Sequence, residues 1–201
     1  VEIGPLFGKS TNILCMGLSS NPSFNSKATL YCYDSFEYKV TDFRSQKIVE
    51  LAKKGKVLQH IKIIQNENIN SYQCLNFEDV FSYYLKSYNR LFKIIPTAAQ
   101  IIDMKPSFSG GISFLRFNIS KDYYEFRSLI FRFFPRMKID CIIVLPDFFN
   151  HWSASLMMVV SILIDKGCLT IMETAGNALV CKAKKIPNNL DMIDLDGIIQ
   201  N

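Results

Sequence analysis

The first 34 residues constrain this chain more than anything that follows. Val1-Glu2-Ile3 reads as the end of a buried strand, and Gly4-Pro5-Leu6-Phe7-Gly8 as a turn. Lys9 to Ser19 then carries helically spaced apolar residues at Ile13, Leu14 and Leu18. Ala28 to Tyr33 is a second short apolar strand ending at Asp34. A strand, a Gly turn, a helix, a second strand and an acid in that order form a βαβ unit. Its glycines let backbone approach a ligand where a Cβ would collide, and its first helix offers free N–H groups at its start. Asp34 at the carboxyl end of the second strand is placed to accept both hydroxyls of a ribose. The glycine spacing is GxxxG rather than GxGxxG, so the turn gains meaning only together with Asp34.

The rest of the chain continues the alternation. A helix is expected around Ser45 to Lys54, with an Asn- and Gln-rich stretch from Gln65 to Gln73, and residues 38–76 as a whole read as an insertion or lid. A helix over Glu78 to Leu91 leads to a strand at Phe92 to Ile95 that Pro96 should stop, and Ala98 to Met104 reads as a helical turn or two. Ile112 to Phe117 is a strand. Ser120 is a candidate N-cap for a helix with Phe126, Ile130, Phe133 and Met137 on one face, which Pro135 should end or kink. Cys141 to Leu145 has the β-branched, apolar character of a strand buried on both faces, and Trp152 to Asp165 that of an apolar helix. Cys168 to Thr174 and Ala178 to Lys184, joined at Ala175-Gly176-Asn177, signal a closing antiparallel hairpin. The fold class is therefore α/β: a Rossmann-like, mostly parallel seven-stranded sheet with helices on both faces and an antiparallel C-terminal hairpin.

Length and composition narrow the function classes. At 201 residues, 49% of them apolar, one domain over 1–201 is expected. No window reaches the apolar length of a membrane span. Six cysteines without a CxxC pair, and only two histidines, His60 and His151, argue for buried thiols in a reducing compartment and against a zinc site. A net charge of +5 spread over small lysine groups favours solvated faces over nucleic-acid binding. No signal peptide is visible, so a cytoplasmic location is expected. The abrupt start suggests that helices ahead of Val1 belong to a longer parent protein.

On these residues the chain resembles the class I S-adenosylmethionine-dependent methyltransferases, especially a bacterial subgroup of sugar and macrolide O-methyltransferases. The resemblance rests on VEIGPLFGKST (1–11), LYCYDSFE (30–37), FLRFNISKDYYEF (114–126), FFPRMKIDCIIVLPDFF (133–149) and the closing hairpin. It implies S-adenosylmethionine as cofactor, a small-molecule or glycan acceptor, and methyl transfer to a hydroxyl, with homo-oligomerisation left open. Glu2, Gly4 and Gly8 then resemble the turn that receives the methionine end of the cofactor, Asp34 the ribose acid, and Ser35 and Phe36 the flanks of the adenosine. Asn118 stands on the cofactor side where relatives carry an aspartate after the fourth strand. After the fifth strand relatives show His-Asp or Asp-Asp before an aromatic, and this chain has Pro146-Asp147-Phe148.

An asparagine at 118 removes a hard oxygen ligand, so no metal is expected. Asp147 and His151 are the candidate proton acceptors. His151 reads equally well as a loop histidine beside Trp152. Tyr123, Tyr124, Phe148, Phe149 and Trp152 fall near expected carboxyl ends of strands, where they can line an acceptor pocket, whereas Phe126, Phe131, Phe133 and Phe134 read mostly as core. Two other functions stay open: a methyltransferase-like module of a larger protein that has lost its chemistry, and a nicotinamide-dinucleotide domain. The last would require a GxGxxG turn and a parallel final strand.

Overall fold

The computed structural model describes residues 1–23, 28–66, 72–118 and 122–186. Along the chain it places β1 (Glu2–Ile3), α1 (Lys9–Ser20), β2 (Thr29–Asp34), β3 (Glu37–Lys39), α2 (Phe43–Lys54), β4 (Lys62–Asn66), β5 (Tyr72–Asn76) and α3 (Glu78–Leu85). There follow β6 (Lys93–Ala98), β7 (Ile112–Phe117), α4 (Tyr123–Phe133), β8 (Met137–Leu145), α5 (Ala154–Asp165), β9 (Leu169–Ala175) and β10 (Ala178–Ala183). The main sheet has seven strands in the order β6-β2-β1-β7-β8-β10-β9, and β3-β5-β4 form a second, three-stranded sheet. The sheet order, parallel except at β10 and β9, is the α/β architecture expected from the alternating pattern. Because β10 runs antiparallel to both β8 and β9, the dinucleotide-domain reading, which needs a parallel last strand, is overturned.

The chain divides into two compact units, Pro5–Ala99 and Val1–Gly4 with Gln100–Asn201. In the first, β2 and β6 pair in parallel from Thr29↔Lys93 to Asp34↔Ala98. Its core gathers Cys15, Cys32, Phe36, Ile48, Phe77 and Phe81, all essentially without solvent contact. Helix α2 contributes Ile48 and Ala52 from one side only, and Asp42 caps it by accepting the Arg44 N–H at 2.8 Å. Pro96 does not stop β6, which runs on to Ala98. β6 is an edge strand of the sheet, the position where a residue lacking an N–H is tolerated. The expected long helix over 78–91 is shorter than its pattern, since α3 ends at Leu85 and residues 86–90 tighten into a 3-10 turn. Three strands were not anticipated. β3, β4 and β5 are short and half exposed, and their mixture of lysine, glutamine and isoleucine lacks the apolar run by which a buried strand is recognised.

In the second unit β1 pairs with β7, and β7 with β8, all in parallel. Helix α4 buries Tyr123, Phe126, Leu129, Ile130 and Phe133, the stripe that its spacing requires, and Phe117 of β7 meets Phe126 and Phe133 edge-on. Ser120 lies outside the described residues. The helix is capped by Asp122, which accepts the Glu125 N–H at 3.0 Å. Met137, expected on this helix, instead opens β8, because a 3-10 turn containing Pro135 ends the helix first. Helix α5 begins at Ala154, after a 3-10 turn over His151–Ser153, and buries Leu156, Val159, Val160 and Leu163. β8 buries Cys141, Ile143 and Leu145 on one face and half-buries the residues between them. The closing hairpin turns over Gly176 and Asn177, with Gly176 at φ 58°, the left-handed conformation that two-residue turns demand.

Candidate functional site

The turn after β1 is held from below by Asp34. Gly8 donates its N–H to the Pro5 carbonyl at 2.9 Å, closing the turn, and the Gly8 carbonyl accepts the Asn12 N–H at 2.7 Å, opening α1. Between them Leu6 sits at φ 52°, a left-handed conformation that costs a non-glycine residue about 1 kcal/mol. What holds it there is the Asp34 carboxylate, whose Oδ2 accepts the Leu6 N–H at 3.0 Å. The other oxygen, Oδ1, accepts the Phe36 N–H at 3.0 Å and a long contact of 3.5 Å from the Ser35 hydroxyl. Asp34 is 8% exposed. Each of its oxygens is anchored by one backbone donor, and a carboxylate has about four lone-pair directions. A buried carboxylate with acceptor capacity left at Oδ2, and at Oδ1 where the Ser35 contact is long, beside the Gly turn, can accept from a diol.

Gly8 itself has φ 81°, and a Cβ built on it would stand 3.0 Å from the Phe81 ring. Its small size is therefore demanded by the core as well as by the backbone conformation. Gly8→Ala should destabilise the protein by about 2 kcal/mol, combining left-handed strain with displacement of Phe81. A urea unfolding midpoint equal to that of the wild type would show that the turn relaxes freely.

Burial is the largest influence on the Asp34 carboxyl and pushes its pKa up, and the N–H donors of Phe36, Leu6 and Ser35 oppose that shift without cancelling it. A carboxyl that titrates higher in the folded than in the unfolded chain binds its proton more tightly when folded. Its stabilising contribution is complete below the ordinary carboxylate range and is lost as pH rises through the raised value. The wild type should therefore lose stability relative to Asp34→Asn across that window, with a constant difference above it. Urea unfolding of both proteins from acid to neutral pH measures this.

Phe36 departs from its expected role. Its side chain is fully buried against Phe77 and Phe81 at centroid distances of 6.0 and 5.2 Å, so a ligand meets this residue through backbone alone. Ser35 is half-buried and donates its hydroxyl to the Glu37 carbonyl at 3.2 Å. The sequence reading missed Tyr38 and Arg44. The Tyr38 ring stacks on Phe77 at 5.8 Å, and the Arg44 guanidinium lies 4.5 Å from its centroid. Burial raises the Tyr38 phenol pKa, and the Asp34 charge adds to the shift, which places this ring in the electrostatic neighbourhood of the acid. Nothing in the local sequence signals this, because β3 has to exist before residue 38 can face residue 34.

In the other unit Glu2 has no solvent exposure and accepts a hydrogen bond from Arg116 Nη1 at 2.8 Å. The register Glu2↔Arg116 between β1 and β7 puts them side by side. Arg116 was not anticipated either, since the pairing depends on which strand neighbours β1. Gly4 adopts φ 80°, and the Asn118 N–H donates to the Ile3 carbonyl at 2.8 Å, fixing the ends of the two strands together.

Asp147 follows β8 at φ 56°. Its carbonyl accepts the Ser153 hydroxyl at 2.7 Å and the Asn150 N–H at 3.2 Å, so the backbone is pinned while the carboxylate stays exposed. His151 is exposed and meets the Trp152 ring edge-on at 4.5 Å. This loop is braced by the closing hairpin: the Phe149 N–H donates to the Asn177 carbonyl at 3.2 Å, and the Asn177 amide donates to the Asn150 side-chain oxygen at 3.0 Å. Of the neighbouring aromatics, Tyr123 and Phe148 are buried, while Tyr124, Phe149 and Trp152 remain exposed. Phe126, Phe133 and Phe134 are buried in the core, and Phe131 is half-buried beneath the Arg127 guanidinium. Among the described residues no three His, Cys, Asp or Glu side chains are grouped to hold a metal ion, and no helix is long and apolar enough to cross a membrane.

Comparison by sequence finds no matching family model and no matching curated protein. Solved structures do match. The O-methyltransferase NovP superposes with a TM-score of 0.58 at 11% identity, over 92% of this chain and 71% of that one. An rRNA methylase from Streptococcus thermophilus gives 0.51 at 11% identity, over 92% and 86% of the two chains. The Podospora anserina methyltransferase PaMTH1, solved with S-adenosylhomocysteine bound, also gives 0.51 at 11% identity, over 92% and 70%. Together with the strand order and the terminal antiparallel pair, these matches show that the chain has the fold of the class I S-adenosylmethionine-dependent methyltransferases.

Proposed function

We propose that this chain binds S-adenosylmethionine and directs methyl transfer to a hydroxyl of a small molecule or sugar, in the cytoplasm. The observation that carries the reading is Asp34: a buried carboxylate at the carboxyl end of β2, with each oxygen anchored by one backbone N–H and with acceptor capacity left for the two ribose hydroxyls. The positive-φ glycines at 4 and 8 set the backbone course of the adjoining turn, along which the methionine end would pass. When bound, the cofactor supplies a methyl group already activated by its sulfonium centre. The chain's own work is orientation and proton removal. In its own unit Asp34 fixes the ribose; in the other unit Glu2 and Asn118 are assigned to the cofactor, and His151 or Asp147, on an exposed loop, to the hydroxyl proton. Within residues 38–76, Tyr38 lies near the acid, while Ile48, Ala52 and Val57 belong to the core. Six buried cysteines agree with a reducing compartment.

The test is calorimetric titration with S-adenosylmethionine and S-adenosylhomocysteine, followed by turnover with sugar and small-molecule alcohols and with ribosomal RNA. Micromolar binding with turnover of an alcohol supports the proposal, and turnover of RNA alone would replace the acceptor. Binding without any turnover would favour a module that has lost its chemistry, a reading that Asn118 in place of a carboxylate supports. No binding at all would sink the cofactor assignment.

A further inference from the structure

The outward face of α2 has a composition that its inward face does not explain. Ser45, Ile48 and Ala52 point into the core, and on the opposite side Phe43, Lys47, Leu51 and Lys54 follow one another at helical spacing. Phe43 is 78% exposed and Leu51 43%, and Leu58, just past the helix, is 41% exposed. Basic residues surround these apolar ones. From β3 through β4, residues 37–66, the chain has seven Lys and Arg against three Asp and Glu, a surplus of four where the whole chain's is five. Arg44 is neutralised by Asp42 and Lys62 by Asp79. Lys47, Lys53, Lys54 and Lys56 are exposed and form no ion pair among the described residues. Glu50 is the one acid on the same face of the helix.

From this we infer that the outer face of α2, with the turn after it, docks on an anionic lipid bilayer, as a peripheral contact rather than a span. Lysines alone would suit any polyanion. Exposed Phe43, Leu51 and Leu58 between them suit a surface with hydrocarbon beneath its charge, where apolar side chains are buried and ammonium groups stay with the headgroups. Two of the three are aliphatic and offer no ring on which a nucleic-acid base could stack. Such docking does not depend on the methyltransfer reading.

Sedimentation of the whole chain with vesicles tests it, using phosphatidylcholine containing about one third phosphatidylglycerol against phosphatidylcholine alone. A fluorescent single-stranded oligoribonucleotide, followed by anisotropy, is the competing probe. The chain should partition onto anionic vesicles at least about tenfold more strongly than onto neutral ones, and less strongly as salt is raised from about 0.1 to about 1 M. Lys47→Glu with Lys54→Glu should lower the partition at least about tenfold. Phe43→Ser should lower it by roughly the same factor. Because all three side chains are exposed, both variants should keep the wild-type thermal midpoint, which shows that any loss belongs to the surface. No sedimentation, equal partition on both vesicles, or retention by both variants overturns the inference. Tighter binding of the oligoribonucleotide than of the vesicles overturns it too, and assigns the face to nucleic acid.

Discussion

Asp34→Ala should weaken the S-adenosylhomocysteine binding proposed above by at least about a hundredfold in a calorimetric titration. The figure follows from removing two hydrogen bonds to a charged acceptor, each worth about 1.5–3 kcal/mol. Asp34 also holds the Leu6 N–H, so the alanine variant opens the turn as well as deleting the acceptor. Asp34→Asn separates the two effects. An amide keeps one acceptor oxygen, so it holds one of the Leu6 and Phe36 N–H groups and faces the other with its own N–H, and it presents a donor where the second ribose hydroxyl would need an acceptor. It should keep its fold, seen as a cooperative melt, while still losing most of the affinity. If both variants bind like the wild type, Asp34 is a turn anchor alone and the ligand lies elsewhere.

The largest stability effect belongs to Arg116→Met. Glu2 is fully buried, and its carboxylate loses the guanidinium that the β1–β7 register places 2.8 Å away. Removing one member of a buried ion pair costs about 3 kcal/mol or more, because the remaining charge was desolvated on the strength of its partner. For a chain of this size that lowers the thermal midpoint by roughly 10 °C. Adding Glu2→Gln to Arg116→Met should restore much of the loss, since the pair is then replaced rather than broken. A single variant that melts with the wild type would show that water reaches the carboxylate after all.

Much of the main sheet was legible in the sequence because its central strands are buried. Apolar β2 and β8, the stripe on α4 and the two-residue turn of the last hairpin each carry a local signal strong enough to stand without tertiary context. β3, β4 and β5 carry none. They are short and partly exposed, and pairing makes them strands more than propensity does. The site divides in the same way. Asp34 and the glycines announce themselves by position after strands, so sequence order finds them. Arg116 and Tyr38 depend on which strand lies beside which, a relation between distant residues that one sequence does not display. Phe36 shows the converse: position next to the acid does not reveal that its ring, at a positive φ, is buried in the core.

The brace between Asn177 and the loop of Asp147 means that this loop can be moved from outside itself. Asn177, at the tip of a hairpin and 27 positions downstream of Asn150, holds the backbone on which Asp147 and His151 are displayed. Lengthening or shortening that tip re-aims the loop while leaving every residue in it unchanged. A library confined to Gly176 and Asn177 is thus a small search space for moving Asp147 and His151 without replacing either.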